Sequence, residues 1–351
     1  MKTLLIFLGL MTAGSVMYIS SHSVREEKSL DRTGVSINEV SPEFKWTQVA
    51  PPGSGTHQYE WKPGTYPSAI VPLVAFNNDL WMIGQKMAWT SKNGIQWEMH
   101  KKHDWGERIS MSYVYFNNRF WISGGMDYPT NTLLNEIWTS ADGQTWTRTV
   151  AKAEWSPRKG HTLVVFNNKL WLFGGEVSVN EDKTPKEHIN DIWASTDGIR
   201  WTKVLDKAPW TGRFNPRVLV FKDRLWLVGG QGLSDIWRSD DGKSWTQMKT
   251  DCPWKDRYDY GAIVFDNLMW VYGGRESNAR NAYKDAWYSI DGSHWQLQTG
   301  SAPWTPRSGN NSVVFKDKLW LYGGKHTGHA DSFSGDIWTM EAANRTELIK
   351  N

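Results

Sequence analysis

The sequence predicts an all-β fold, a six-bladed β-propeller made of four-stranded units. Three observations predict it. The 351-residue chain holds 24 Trp residues, and they recur in a fixed order, the mark of a repeat architecture. Short apolar runs alternate with two-residue turn pairs such as Asn167-Asn168 and with Asp-Gly turns, which join antiparallel strands. Finally, the segment "FKWTQVA" (44–50) looks like a last strand with nothing before it, while the final unit has three strands and no fourth.

Each unit carries four Trp motifs in order. A turn followed by Leu-Trp and usually Gly-Gly places Trp81, Trp121, Trp171, Trp226, Trp270 and Trp320. A "DIW"-like motif places Trp89, Trp138, Trp193, Trp237, Trp287 and Trp338, and "DGxxW" or its "NGIQW" variant places Trp97, Trp146, Trp201, Trp245 and Trp295. A "PWTPR"-like motif places Trp61, Trp105, Trp155, Trp210, Trp254 and Trp304, and Trp46 lies in FKWTQVA. In one unit, "HTLVVF" (161–166) reads as strand a, "LWLFGG" (170–175) as strand b, "DIWAST" (191–196) as strand c and "RWTKVL" (200–205) as strand d. Tight hairpin turns exclude the parallel strands of a β-helix. Residues 44–50 are expected to pair with the strand around Trp338, covering two edges and closing the ring.

The double Gly after strand b, the Trp of strand d and the "PR" before strand a resemble the kelch-repeat propellers, over roughly residues 44–340. That resemblance implies ligand contacts just after the Arg that precedes strand a and just after Gly-Gly. Carried onto this chain, the first place gives Lys159, Asn215, Tyr258, Asp259 and Ser308. The second gives Met126, Glu176, Gln231, Arg275 and Lys325. The a–b and c–d turns are short and lie on one face. The b–c and d–a loops lie on the other face and vary, so the candidate site is there. The "SxDGxxW" segments also resemble the Asp-box hairpins of sialidases, one residue shorter, which is read as a shared turn.

A second repeated set is expected to be structural. Arg108, Arg158, Arg213, Arg257 and Arg307 precede strand a, and Glu136, Asp191, Asp235, Asp285 and Asp336 precede the strand-c Trp. The first unit has Ser68 and Met87 instead, and Gln85 for the second Gly, so Arg and acid are missing together. Joint loss points to an Arg–carboxylate pair inside each unit. Most Trp residues are likewise read as packing between blades or against Arg and Pro.

Composition bounds the function. With 39% hydrophobic and 22% charged residues the chain folds, and a net charge of +3 without a basic run excludes nucleic acid. Residues 1–23 read as a signal peptide or an uncleaved anchor, 24–43 as a linker, 44–343 as the propeller and 344–351 as a polar tail. The expected location is secreted or periplasmic, and the expected state is a monomer. Cys252 is the single Cys and forms no internal disulfide. Galactose oxidase shares the kelch fold, but no Tyr and His set beside Cys252 matches its copper site, and no cofactor or metal is expected. His326, His329 and Asp331 have metal-like spacing in a Gly-containing loop and count as a weak signal. His161 reads as a hydrogen-bonded channel residue. The favoured function is a binding module for a carbohydrate or protein partner. The alternatives are a sugar-modifying enzyme like the sialic-acid mutarotases, with Glu176 and Arg275 or Lys325 as acid and base, and a purely structural partner.

Overall fold

The architecture is taken from a computed structural model. It describes residues 43–50, 73–84, 87–102, 105–178, 187–248, 252–254, 257–277, 281–326 and 335–342, all within the unit Pro42–Asn351. The segments 1–23 and 344–351, residues 24–42 of the linker, and Trp61, Ser68, Gln85, His329 and Asp331 lie outside the described residues. Every regular element among the described residues is a strand. The strands form seven small antiparallel sheets, six of four strands and one of three.

One unit shows why each sequence forms its sheet. Thr162–Phe166 pairs with Lys169–Phe173, which pairs with Ile192–Ser195, which pairs with Thr202–Leu205. Asn167 and Asn168 join the first two strands with φ of +48° and +54°, the left-handed pair that matches the twist of a hairpin. Lys222-Asp223 and Lys316-Asp317 hold the same pair of angles in later units. The indole N–H of Trp171 donates to the Phe166 carbonyl at 3.0 Å and pins the hairpin end. In the c–d turn, Ser140 Oγ accepts the Gly143 N–H at 2.8 Å, and Asp142 Oδ1 accepts those of Gln144 and Thr145. These hydrogen bonds outweigh partial burial and hold the Asp142 carboxyl at about 2.

The core lies between sheets. Phe116, Trp121 and Ile137 of one unit pack with Leu163, Leu170 and Trp193 of the next in one buried cluster. In five units the turn Gly lies on the strand-b Trp of the unit before. A Cβ on Gly242, at φ +76°, would come within 2.3 Å of Trp171. Gly94, Gly143, Gly198 and Gly292 stand in the same way over Trp320, Trp81, Trp121 and Trp226. Innermost strands also touch in sequence. Ser112–Phe116 meets Thr162–Phe166, then Arg217–Phe221, Gly261–Phe265, Asn311–Phe315 and Leu73–Phe76. Phe76 and Tyr115, with ring centroids 4.7 Å apart, link the last of these strands to the first.

The sixth four-stranded sheet takes its outer strand from the other end of the chain. Phe44–Ala50 pairs antiparallel with Ile337–Ala342. Gln48 faces Trp338, two residues after Trp46, as Lys203 faces Trp193 two residues after Trp201. Trp46 packs edge-on against Trp304 at 4.1 Å, as Trp245 does against Trp210 at 4.8 Å. Among the described residues no c–d turn of this sheet covers Trp270. Phe44 takes that place, its ring perpendicular to Trp270 with centroids 4.7 Å apart.

Candidate functional site

The repeated charges are consumed inside the scaffold. Arg158 Nη1 and Nη2 donate to Asp191 Oδ1 and Oδ2 at 2.7 and 2.9 Å, and Nη1 also donates to the Gly174 carbonyl at 3.0 Å. Arg213–Asp235, Arg257–Asp285 and Arg307–Asp336 repeat this fork, and Arg108 pairs with Glu136. The indoles of Trp138, Trp193, Trp237, Trp287 and Trp338 donate to the same acids. Burial acts against the Glu136, Asp235 and Asp285 carboxylates, yet these hydrogen bonds hold their pKa below the ordinary value. The Arg158 and Arg213 guanidiniums also lie over Trp155 and Trp210, both at 5.8 Å. The second Gly leaves room for the chain that follows the Arg. A Cβ on Gly175, at φ +108°, would meet the Lys159 carbonyl at 3.0 Å.

In the third, fifth and sixth units the two candidate places are brought together by backbone pairing. Lys159 and Glu176 exchange both N–H···O bonds, at 3.1 and 2.9 Å, and Tyr258 and Arg275 do so at 2.8 and 2.9 Å. Ser308 and Lys325 exchange theirs at 3.0 and 2.7 Å. In the second unit the same pairing forms the small three-stranded sheet of Arg108–Ile109, Met126–Asp127 and Thr132–Leu133. Asn215 sits one step further on. Phe214 holds the place of Lys159, and its carbonyl accepts the Gln231 N–H at 3.1 Å. Asn215 shares the left-handed place with Ser110, Gly160, Asp259 and Gly309. That place links adjacent units, since Gly160 N–H donates to the Ser110 carbonyl, Asn215 N–H to that of Gly160 and Gly309 N–H to that of Asp259.

Two side-chain clusters differ from the repeat. Lys159 (8% exposed) points Nζ at Glu176 Oε1, 3.3 Å away, and at Met126 Sδ, 3.7 Å away. Glu176 is itself only 4% exposed, and its Oε2 lies 3.3 Å from His188 Nε2. In the other cluster Arg275 Nε pairs with Asp259 Oδ2 at 3.0 Å and its guanidinium lies 5.4 Å from the Tyr258 ring. A Cβ on Gly232, just after the half-buried Gln231, would meet the Tyr258 hydroxyl at 2.7 Å. Ser308 is buried and Lys325 exposed.

Three groups escaped the sequence reading. His188 completes the Glu176 cluster from a variable loop that no repeat column marks. Asn310 is buried with both amide atoms unpartnered. Arg217 opens an inner strand. Its Nη1 donates to Asn215 Oδ1 at 3.4 Å, its guanidinium lies 5.5 Å from the Tyr260 ring, and its buried Nε has no partner.

His161 Nε2 shares a 2.8 Å hydrogen bond with Ser123 Oγ, while Nδ1 is unpartnered. Burial, with Arg158 nearby, lowers the imidazole to about 3, so it is neutral at physiological pH. Cys252 Sγ donates to the Ser234 carbonyl at 2.5 Å. His326 Nδ1 lies 3.2 Å from Thr305 Oγ1. Among the described residues no three His, Cys, Asp or Glu side chains gather to hold a metal.

No family model matches this chain, and no curated protein does. Among solved structures it is similar to that of YjhT, with TM-score 0.64 and 15% identity over 80% of this chain and 98% of that one. At this identity the likeness concerns the fold, a propeller-like all-β architecture.

Proposed function

We propose that the chain is an exported, monomeric, six-bladed kelch-type propeller, its ring closed by Phe44–Ala50, that binds a small hydroxylated ligand at the b–c/d–a face. The succession of inner-strand contacts and the link between Phe76 and Tyr115 support six blades in a ring. One observation carries the binding reading. The places after Arg and after Gly-Gly pair with each other in successive units, and their side chains form two unlike charged clusters on an otherwise repetitive scaffold. A polyhydroxylated molecule is matched by such a mixture of donors, acceptors and the Tyr258 ring. A protein loop offering the same groups is the macromolecular version of that ligand.

The test is a thermal-shift panel of neutral sugars and sugar acids on the chain. A site half-occupied well below the added concentration raises stability by about 2.7 kcal/mol at a hundred times Kd. Glu176→Gln and Arg275→Gln each weaken the hit at least tenfold if their clusters line the site. A panel hit that neither variant changes places the ligand elsewhere.

The second reading, a sugar-modifying enzyme, is favoured by Glu176 with Lys159 and His188 each 3.3 Å from one of its oxygens. A carboxylate between a lysine amino group and an imidazole can relay a proton. Faster interconversion of the anomers of a bound sugar, lost in Glu176→Gln, supports it, and an unchanged rate removes it.

A further inference from the structure

The inner strand Arg217–Phe221 begins with a charge that the matching places lack. Those places hold Pro72, Ser112, Thr162, Gly261 and Asn311 in the sequence. The repeated Arg residues are neutralised by acids, but the partners of Arg217 among the described residues are the neutral Asn215 and Tyr260. Its guanidinium is half-buried, so it has given up part of its hydration and still meets solvent. Its Nε is buried without an acceptor. The next place towards the loop face holds His161 and Asn310, both more than nine-tenths buried, with His161 Nδ1 and both amide atoms of Asn310 unpartnered. Orphaned polar groups on two adjacent levels of the inner strands suit a polar guest.

The surroundings favour an anion. Arg217 acts electrostatically on Tyr113, Tyr260 and Tyr272. Burial raises all three phenols, Tyr260 to about 12, so they stay neutral and do not compete with an anion. Tyr113 keeps part of its surface accessible although it lies deep among neighbouring side chains. Among the described residues no acid pairs with Arg217; one guanidinium suits a single negative charge, and its planar fork suits a carboxylate.

We propose that Arg217 is the floor of an anion subsite beneath the loop-face mouth, which takes the carboxylate of a small organic acid. The position of this subsite rests on the reading of that mouth as the ligand site.

The test compares sodium acetate and sodium glucuronate with sodium chloride at equal ionic strength, and glucose as the uncharged sugar, on the full chain. Acetate and glucuronate raise the melting temperature of the wild type beyond chloride, Arg217→Gln abolishes that increment, and Arg217→Lys weakens binding at least tenfold. An equal carboxylate increment in Arg217→Gln, or none in the wild type, overturns the subsite. A glucose shift that survives in Arg217→Gln while the carboxylate increment is absent from the wild type leaves the mouth reading standing and removes the subsite. An Arg217-dependent acetate increment, with neither sugar giving more than acetate, does the reverse. If Arg217→Gln fails to fold, Arg217→Lys decides the matter, and unchanged acetate affinity in that variant overturns the subsite.

Discussion

Phe44→Ala tests how the two ends of the chain are held. Phe44 is 6% exposed and packs against Trp270, Phe265 and Tyr288, with centroids at 4.7, 6.5 and 6.2 Å. Truncating a buried Phe costs about 3–5 kcal/mol through lost transfer energy and the cavity left behind. The upper half of that range is expected, because the ring stands in for a whole turn over Trp270, and the perpendicular contact adds to area burial. Lys45 is the control. It lies on the same strand, is exposed and pairs through the backbone with Glu341, so Lys45→Ala changes stability by no more than about 0.5 kcal/mol. Equilibrium urea unfolding followed by Trp fluorescence measures both variants, at matched m-values. A loss below about 1 kcal/mol in Phe44→Ala would refute the claim that this ring fills the missing turn's place.

The other predictions follow from neighbouring features. Deleting residues 44–50 exposes the edge of Ile337–Ala342 and uncovers Trp270, so light scattering should show aggregation at concentrations where the wild type stays clear. Arg213→Ala strips Asp235 and the Gly229 carbonyl of a buried donor and should cost about 3–5 kcal/mol in the same urea assay. Gly242→Ala should cost more than about 1 kcal/mol, since it strains a left-handed backbone and meets the Trp171 ring, and unchanged melting would sink that account. His161 has a folded pKa near 3 against an ordinary value near 6.5. The unfolded chain therefore binds the proton first. The stability contribution of neutral His161 is complete above pH 6.5 and falls by about 1.4 kcal/mol per pH unit as pH drops towards 3. His161→Gln should flatten the urea midpoint between pH 6 and 4, and an identical slope in both proteins would exclude His161 as the source.

The strands, turns and internal Arg–acid pairs were legible because packing imposes them repeatedly from unit to unit. The joint absence of Arg and acid in the first unit marks them as a pair. Trp46 could be matched to the strand-d Trp for the same reason, and the pairing of Gln48 with Trp338 has that register. Asn215 lies one residue beyond the place that Lys159 and Tyr258 hold. Lys159 and Tyr258 directly follow their Arg, while the bulky Phe214 follows Arg213. Asn215 is instead the counterpart of Asp259. The signal was nevertheless present, since Gly160, Asn215, Asp259 and Gly309 are the residue types that tolerate the left-handed place. His188 had no such signal, because it comes from a loop without a counterpart in the other units.

Arg217 shows what a repeat hides and how it can be recovered. Taken alone, it is one basic residue in a strand and carries no information. Five other Arg residues occupy a repeated place, and each is neutralised by an acid of its own unit with a nearby Gly carbonyl taking a further hydrogen bond. Those charges contribute little net field to the mouth, because each cancels over a few ångströms. Among the described residues the charges outside the columns include the paired Lys159–Glu176 and Arg275–Asp259, the exposed Lys325, and Arg217 with its neutral neighbours. In a scaffold that balances its own charges unit by unit, an unbalanced one at the end of an inner strand is the feature that a ligand has to explain.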